Sequence, residues 1–514
     1  MNLDKIRQPF LDLFPGDFSN NPMQRQTPKM LFATVAPVGF PDAKLILFNN
    51  QLAKEINIGE VENKDDLQFL FGNYIPENIQ TYATAYAGHQ FGNWAGQLGD
   101  GRAIYIGEIA NNKSEKFELQ WKGAGATPYS RHADGRAVLR SSIREYLMSE
   151  AMHHLRVPTT RALSLALTCE NVVRDMMYDG NPRQEQGAVM IRTAKSFLRF
   201  GHFELLSAQQ EIQTLKKLAD FTIEEYFTEI ESNSEKKYKN WLLSIIEKTA
   251  HLMVEWMRVG FVHGVMNTDN MSVLGLSIDF GPFSMLDEYD LNFTPNTTDL
   301  PGRRYAFGKQ PQIAQWNLWQ FSNAIFPLIN DEKFVEDALD QFSTIFWKKH
   351  DEMLCRKFGF DALLPQDERF FTEWQQMMQD LQLDYTLFFN SLENFEEDSD
   401  PKELFSKCFY QPITENHWDQ VLTFLQNYKI RSLQNNIPKK ESKEMMKLHN
   451  PKFILRNYLL YQCIEEVKIG KTELLHKLIS ALENPYQEIY PEFSVKRPSE
   501  FNGTMGCSML SCSS

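Results

Sequence analysis

The segment His263-Gly-Val-Met-Asn-Thr-Asp-Asn-Met-Ser-Val-Leu-Gly-Leu-Ser-Ile-Asp-Phe-Gly281 carries most of the evidence for the fold of this chain. It follows a predicted helix over residues 240–259, where apolar residues recur at i, i+3 and i+4. After that helix the pattern predicts a polar loop, a short apolar strand and an Asp-Phe-Gly turn. Asn270 of the loop and Asp279 of the turn offer the hard oxygen ligands that Mg²⁺ prefers. The segment therefore predicts a metal site held by Asn270 and Asp279.

The spacing inside this segment matches the catalytic loop of protein kinases, with one difference. In the kinase pattern His-Arg-Asp-x₄-Asn, the Asp is the base and the Asn binds metal, and a later Asp-Phe-Gly supplies a second ligand. Here Val265 stands at the position of the kinase base, and Asp269, next to Asn270, is the candidate proton acceptor instead. By kinase rules the chain is a pseudokinase, yet it keeps a carboxylate and two metal-type ligands.

A glycine-rich turn, Gly96-Gln-Leu-Gly-Asp-Gly-Arg102, lies directly before a predicted β-hairpin over residues 102–122. Glycine lets backbone N–H groups approach phosphates closely because no Cβ intervenes. Gly99 and Gly101, together with the cation of Arg102, are therefore candidate phosphate contacts. A turn without any ligand is the simpler interpretation of this segment alone.

Lys122 ends the second strand of the hairpin, and Glu145 lies on a predicted helix from about Ala137 to Leu155. In kinase-like folds a strand lysine paired with a helix glutamate is held against phosphates. We predict that Lys122 and Glu145 form such a pair. The alternative for Lys122 is a solvent-facing strand lysine.

Arg192 and Arg199 follow a short apolar run, Val189-Met-Ile191, that predicts a buried strand. Guanidinium groups bind phosphate oxygens in a bidentate manner, so both are candidate nucleotide contacts. Judged alone, they could equally pair with surface carboxylates.

The composition excludes several functional classes. The 514 residues include 53 basic and 67 acidic ones, a net charge of −14, which argues against nucleic-acid binding. No apolar run approaches the ~20 residues of a membrane span, and the N-terminus lacks the apolar core of a signal peptide. We therefore predict a cytoplasmic protein with neither a nucleic-acid nor a membrane partner.

The cysteines form no CxxC pair, so a zinc site is not expected, and their spread suits a reducing compartment. Two of them lie near the C-terminus, where we expect either two exposed thiols on a mobile tail or a redox-active tail. The six are Cys169, Cys355, Cys408, Cys463, Cys507 and Cys512.

Together these patterns predict an α+β, protein-kinase-like, two-lobed fold. The expected divisions are an N-terminal extension (1–75), an N-lobe (76–190), a C-lobe with the metal and catalytic loop (191–390), and a C-terminal helical region with a cysteine-containing tail (391–514).

Four stretches resemble the selenoprotein O family (SelO, or YdiU in bacteria), and the similarity extends over nearly the whole chain. They are Tyr86–Arg102, Gln120–Arg131, His263–Asp279 and the final Ser-Cys-Ser-Ser at 511–514. The resemblance implies a kinase-like fold and a protein adenylyltransferase, which transfers AMP from ATP to Ser, Thr or Tyr hydroxyls of proteins. It also implies an ATP that lies reversed relative to kinases, and Mg²⁺ or Mn²⁺ as cofactor. UTP is a further candidate donor.

Carried over position by position, the resemblance implies Asp269 as proton acceptor, Asn270 and Asp279 as metal ligands, and Glu145 as the partner of Lys122. Cys512 stands where eukaryotic members carry selenocysteine. The implied ATP contacts are Gly99, Gly101, Arg102, Lys122, Asp134, Gly135, Arg192 and Arg199.

Two other functions stay open at this level. One is a protein phosphotransferase, to which Val265 is the main objection. The other is a non-catalytic ATP-binding pseudokinase scaffold, which is harder to reconcile with an intact base and two intact metal ligands.

Overall fold

The structure, a computed structural model, describes residues 1–511 and combines a large mixed sheet with many helices. None of the helices within residues 1–511 has the length and apolar content that a membrane span requires. The strands are β1 (Gly16–Asp17), β2 (Phe32–Thr34), β3 (Lys44–Phe48), β4 (Tyr82–Gln90), β5 (Asn93–Gly99), β6 (Ala103–Ala110), β7 (Lys116–Lys122), β8 (Ala137–Val138), β9 (Arg161–Arg174), β10 (Arg183–Ala194), β11 (Phe261–Val262) and β12 (Ser284–Met285).

The helices lie before, between and after these strands. They are α1 (Pro9–Leu13), α2 (Asn50–Glu55), α3 (Lys64–Leu70), α4 (Leu139–His154), α5 (Phe200–Ala208), α6 (Ile212–Tyr226), α7 (Lys237–Val259), α8 (Gln310–Ile329), α9 (Glu332–Phe358), α10 (Asp367–Leu381), α11 (Tyr385–Glu393), α12 (Pro401–Phe405), α13 (Glu415–Ser432), α14 (Lys439–His449), α15 (Asn457–Lys468) and α16 (Glu473–Glu483).

One sheet collects ten of the strands in the order β1-β2-β4-β6-β7-β10-β9-β3, with β5 paired to β4 and β8 paired to β10. The predicted hairpin over residues 102–122 is confirmed by antiparallel β6 and β7, and the predicted apolar strand lies inside β10. In the register of β10 with β7, Met190 is opposite Lys122 and Arg192 is opposite Gln120. The sheet therefore places Arg192 beside the strand that carries Lys122.

The helix α4 packs on β9 and β10 of this sheet and is covered on its other side by α15 and α16. As a result, 14 of its 16 residues are buried, and not only the apolar face that the sequence indicated. The sequence pattern missed this burial because the covering helices come from the far end of the chain.

The segment His263–Gly281 follows shortly after α7. That helix ends at Gly260, whose φ of +74° is the left-handed conformation that commonly stops a helix. A 3₁₀ turn over Thr268–Asn270 follows. The apolar strand expected before the Asp-Phe-Gly turn is not formed, because Ser272 and Ser277 make only isolated bridges, to Arg199 and Thr159. Single bridges to two different partners do not extend into a ladder.

The C-terminal part of the chain folds back onto the segment near residue 296. Leu510 forms a parallel bridge with Asn296, and its carbonyl accepts a hydrogen bond from Thr297 N at 2.7 Å. Cys507 is fully buried, so the expectation of an exposed thiol there is wrong: the segment packs instead of trailing into solvent. Cys512 lies outside the described residues.

Candidate active site

The end of β7, the middle of α4 and β10 meet in a buried ion network. The Lys122 ammonium donates to the Glu145 carboxylate and lies 3.9 Å from Asp279 Oδ1. Arg192 Nη1 bridges the same two carboxylates, at 3.1 Å from Glu145 Oε1 and 2.5 Å from Asp279 Oδ1. The predicted Lys122–Glu145 contact is therefore present, and the solvent-facing alternative for Lys122 is wrong.

Arg199 joins this network to the polar loop. Its Nη1 donates to Asp279 Oδ2 and, at 2.8 Å, to the main-chain oxygen of Asp269. The guanidinium also lies 4.7 Å from the ring centre of Tyr86, on β4. Arg192 and Arg199 are both buried, so the alternative in which they pair with surface carboxylates is wrong.

The charges in the network change the protonation of its members. Burial would raise the pKa of Asp279, but Arg199, Arg192 and Lys122 outweigh it and hold that pKa well below its usual range. Burial lowers the pKa of Lys122 to about 8, against the opposing charge of Glu145. The carboxylate of Asp279 is therefore an anion at neutral pH, as a metal ligand must be.

Asp269 is the third carboxylate of the site and has a different environment from Glu145 and Asp279. Burial raises its pKa to about 6, and the charge of Arg199 only partly opposes this effect. Its Oδ2 accepts a hydrogen bond from Gln90 Nε2 at 3.3 Å, whereas its Oδ1 is buried without a hydrogen-bond partner among residues 1–511. An unpartnered buried acceptor with a pKa near neutrality suits a proton acceptor.

Asn270 presents a free oxygen beside Asp269. Its Nδ2 donates to the main-chain oxygen of Val265 at 2.9 Å, and no hydrogen bond to its Oδ1 is made within the described residues. His263 ties this loop to the Asp-Phe-Gly turn, with its Nε2 2.9 Å from the main-chain oxygen of Ile278. One amide oxygen and one carboxylate suit Mg²⁺, which usually takes its remaining ligands from water and phosphate.

No group of three or more His, Cys, Asp or Glu side chains that could hold a metal ion occurs in the described part of the chain. Metal binding at Asn270 and Asp279 would therefore depend on oxygen ligands from outside the protein.

The glycine-rich turn packs against the segment that follows β7. A Cβ at Gly99 would come within 2.4 Å of the Tyr129 ring, and one at Gly101 within 2.9 Å of the Tyr129 main-chain oxygen. Close packing therefore explains why glycine occupies both positions, even without a phosphate contact. Arg102 is exposed, and its main-chain oxygen accepts a hydrogen bond from Gly123, the residue after Lys122.

Asp134 and Gly135 lie in a loop beside this turn. The Asp134 carboxylate is paired with Arg174 at 2.7 Å, and Gly135, with φ of +70°, accepts a hydrogen bond from Gly125 N. The structure therefore places this pair next to the loop that follows Lys122, with the carboxylate engaged on the surface and not in the buried network.

Sequence reasoning missed three residues of β4 that border the site, Tyr86, Gly88 and Gln90. A Cβ at Gly88 would lie 2.7 Å from Asp269 Oδ1, so only glycine leaves room for that carboxylate. The available signal was their alternation along one strand, which places all three on one face.

The cavity of about 960 Å³ between α8, α9 and α10 contains none of the predicted site residues. Its lining is mainly aromatic and aliphatic, whereas the ion network holds the charged groups that phosphate chemistry requires. The network, and not this cavity, is therefore the candidate active site. Its cations, anions and proton acceptor suit transfer of a phosphate-linked group to a hydroxyl.

Comparison with known proteins agrees with this chemistry. A family model described as "Protein adenylyltransferase SelO" matches residues 17–483. The chain is 45% identical over 514 residues to a protein nucleotidyltransferase YdiU from Cytophaga hutchinsonii, covering 99% of each chain. It is 42% identical over 511 residues to the protein of the same name from Methylobacillus flagellatus, covering 98% of this chain and 99% of the relative.

Proposed function

The chain belongs to the SelO family of protein adenylyltransferases, and on that basis we propose that it transfers AMP from ATP to Ser, Thr or Tyr hydroxyls of protein substrates. The observation that carries the proposal is the position of Arg199. One guanidinium nitrogen contacts both the Asp279 carboxylate and the main chain of Asp269. The phosphate-binding cations and the proton acceptor are thereby held at a fixed separation.

The kinase-like, two-lobed arrangement is part of this proposal. A strand lysine paired with a helix glutamate, followed by a loop with an Asn and by an Asp-Phe-Gly turn, supports it. We assign residues 1–75 to the N-terminal extension, 76–190 to the N-lobe, 191–390 to the C-lobe and 391–514 to the C-terminal region.

In the proposed reaction the substrate oxygen forms a bond to the α-phosphorus, and the bond from that phosphorus to the β-phosphate oxygen breaks. The hydroxyl proton moves to Asp269, whose Oδ1 has no other partner among residues 1–511. Pyrophosphate leaves with the electron pair of the broken bond. A positioned base of this kind contributes about 10²–10⁴-fold.

Arg192, Arg199 and Lys122 supply the positive charge in this scheme. Their guanidinium and ammonium groups bind non-bridging phosphate oxygens and the departing pyrophosphate, whose charge grows during transfer. Mg²⁺ or Mn²⁺ held by Asn270 and Asp279 would add charge neutralisation at the phosphate. Arg192 and Arg199 both donate to the Asp279 carboxylate. When phosphate binds, some of these hydrogen bonds to Asp279 are replaced by hydrogen bonds to phosphate oxygens.

The discriminating experiment follows the label of the nucleotide. The protein is incubated with Mg²⁺ or Mn²⁺, a mixture of Ser-, Thr- and Tyr-containing peptides, and ATP labelled on either the α- or the γ-phosphate. We expect α-label on peptide and γ-label in pyrophosphate, and we expect Asp269→Asn to slow both by about 10²–10⁴-fold. Transfer of γ-label alone would identify a phosphotransferase.

Further outcomes of this experiment distinguish an enzyme from a scaffold and identify the nucleotide donor and the modified hydroxyl. Nucleotide binding without any transfer would identify a scaffold. Competition by UTP, and mass analysis of the modified residue, determine the donor and the type of hydroxyl.

A further inference from the structure

A second cavity, of about 540 Å³, is lined by Phe91, the residue after Gln90, and by none of the residues of the ion network. It lies between the β4–β5 turn, the segment that precedes α8, and α8 itself. Phe91, Arg304 and Trp316 are among the residues that line it. Its lining differs from that of the network, because aromatic rings surround a single arginine side chain.

The guanidinium of Arg304 is only partly satisfied. Its Nε and Nη2 are buried without a hydrogen-bond partner among residues 1–511, and its Cζ lies 4.6 Å from the ring centre of Trp316. Leaving charged donors buried and unpaired is unfavourable, so an acceptor from outside the protein is expected at this position.

The carboxylate that lines the same cavity is already engaged. Asp299 accepts hydrogen bonds from the main-chain N–H groups of Arg304 at 2.9 Å and Tyr305 at 2.8 Å, and from the Thr294 hydroxyl at 3.1 Å. These bonds fix the backbone of the segment and leave the Arg304 side chain free of an internal counterion. With Lys309 also lining the cavity, its charge is positive: two cations and one carboxylate.

The β4–β5 turn connects this cavity to Asp269. Gln90 contacts the Asp269 carboxylate, and a Cβ at Gly92 would lie 3.3 Å from Arg304 Cζ. Gln90 and Gly92 are two positions apart in the chain, a separation that an extended backbone spans with at most about 7 Å. A substrate whose hydroxyl lies at Asp269 therefore reaches Arg304 with a side chain a few positions away.

An aromatic surface continues from the cavity. The His89 ring lies 5.5 Å from Trp316 and 5.0 Å from Trp94, and Glu204 fixes it through a contact of 2.7 Å. Trp94 is 46% exposed. Exposed aromatic residues beside a charged cavity are typical of protein-binding sites.

We propose that the Arg304 cavity binds an aspartate or glutamate side chain of the protein substrate, a few residues from the modified hydroxyl. The neighbouring aromatic surface packs against the chain between them. The inference rests on the proposed function, because it makes Arg304 a residue that selects acidic sequences for AMP transfer.

The first test measures binding alone. Fluorescein-labelled peptides carry one central Ser and a single Glu at successive flanking positions, and matched peptides carry Gln there. By anisotropy we expect Glu at the best position to tighten binding about tenfold, as for one charge-assisted hydrogen bond. Arg304→Gln should remove the difference, and Arg304→Lys should retain part of it.

Arg303→Gln is the matched control, because Arg303 is the exposed neighbour and loses the same charge outside the cavity. It should keep the preference for Glu. The proposal is overturned if the wild-type protein does not distinguish Glu from Gln, if Arg304→Gln keeps the preference, or if Arg303→Gln loses it equally.

The second test repeats the comparison with α-labelled ATP. Transfer that follows the position of Glu and depends on Arg304 supports both conclusions. Glu-dependent binding without any transfer supports the acidic-peptide site and contradicts the proposed function. Transfer that ignores Glu contradicts the acidic-peptide site and leaves the proposed function standing.

Discussion

Gly88 of β4 lies against the carboxylate of Asp269. A Cβ at position 88 would come within 2.7 Å of Oδ1 and 3.0 Å of the Asp269 Cβ. These separations are shorter than ordinary carbon contacts, so any side chain at position 88 must displace the proposed proton acceptor.

We therefore expect Gly88→Ala to reduce AMP transfer by about 100-fold, because small displacements of a reacting group are costly. ATP affinity should change little, since Gly88 contacts the base and not the phosphate-binding cations. Gly470→Ala, between α15 and α16, is the control, because no atom lies within 4 Å of a Cβ there and the residue lies outside both proposed sites. Normal turnover in Gly88→Ala would show that the carboxylate tolerates displacement.

Replacing the acceptor itself gives a complementary prediction. Asp269→Asn keeps the shape of the side chain but removes the basic oxygen, so turnover should fall by about 10²–10⁴-fold with a much smaller change in ATP affinity. Single-turnover kinetics and equilibrium ATP binding separate the two effects. A variant that loses ATP binding yet turns over normally at saturating ATP would assign Asp269 to nucleotide binding.

Lys122 and Glu145 should act as one unit. Lys122→Met and Glu145→Gln each remove the same contact, so the loss in kcat/KM of the double variant should be smaller than the product of the single losses. A coupling free energy of about 1–3 kcal/mol is typical of residues in contact. Glu145 also contacts Arg192 at 3.1 Å, so its single variant should be the more damaging of the two. Independent, multiplicative losses would contradict the pair.

Metal binding should depend on nucleotide. Arg192 and Arg199 engage both carboxylate oxygens of Asp279, so free Mn²⁺ must compete with two guanidinium groups. We expect a non-hydrolysable ATP analogue to tighten Mn²⁺ binding at least about tenfold, measured by electron paramagnetic resonance, because phosphate oxygens supply further ligands. Asp279→Ala should abolish this binding. Equal Mn²⁺ affinity with and without nucleotide would contradict the expectation.

Glu118 on β7 gives a prediction for stability. Burial raises its pKa to about 7, although Phe197 N and the Ser196 hydroxyl donate to it. The folded state therefore holds this proton more tightly than the unfolded state. The contribution of Glu118 to the free energy of unfolding should fall by about 3 kcal/mol as pH rises from about 4.5 to about 7. Denaturant titrations should show a smaller decrease for Glu118→Gln. If the free energy of unfolding depended on pH equally in the wild-type protein and in Glu118→Gln, Glu118 would be ionised in the folded state.

The sequence predicted the parts of the site that depend on short-range pattern. Lys122 and Glu145 lie close in the chain, on a strand and a helix whose periodicities are clear, and their contact is confirmed. The Asp-Phe-Gly turn drew attention to Asp279, which lies in the same ion network, and its role as a metal ligand stays a prediction. Its partnership with both Arg192 and Arg199 was not predicted, because it depends on how β10 and the following segment approach the turn.

Long-range packing accounts for the features that the sequence analysis missed or got wrong. The expected strand before Asp279 was wrong because its residues find separate partners. The burial of Cys507 depends on contacts with segments hundreds of residues away in the chain. Apolar periodicity describes one element at a time, and it contains no information on which distant element covers a second face.

The helix α4 is covered on two sides, by the sheet and by α15 and α16, and this restricts its movement. A helix that rests on a sheet with one free side can swing outward and separate its glutamate from the strand lysine. Here Arg144, the neighbour of Glu145, donates to Asn457 of α15 and to the main-chain oxygen of Phe283. These hydrogen bonds oppose an outward movement of α4. We therefore expect the Lys122–Glu145 contact to be kept both with and without bound substrate.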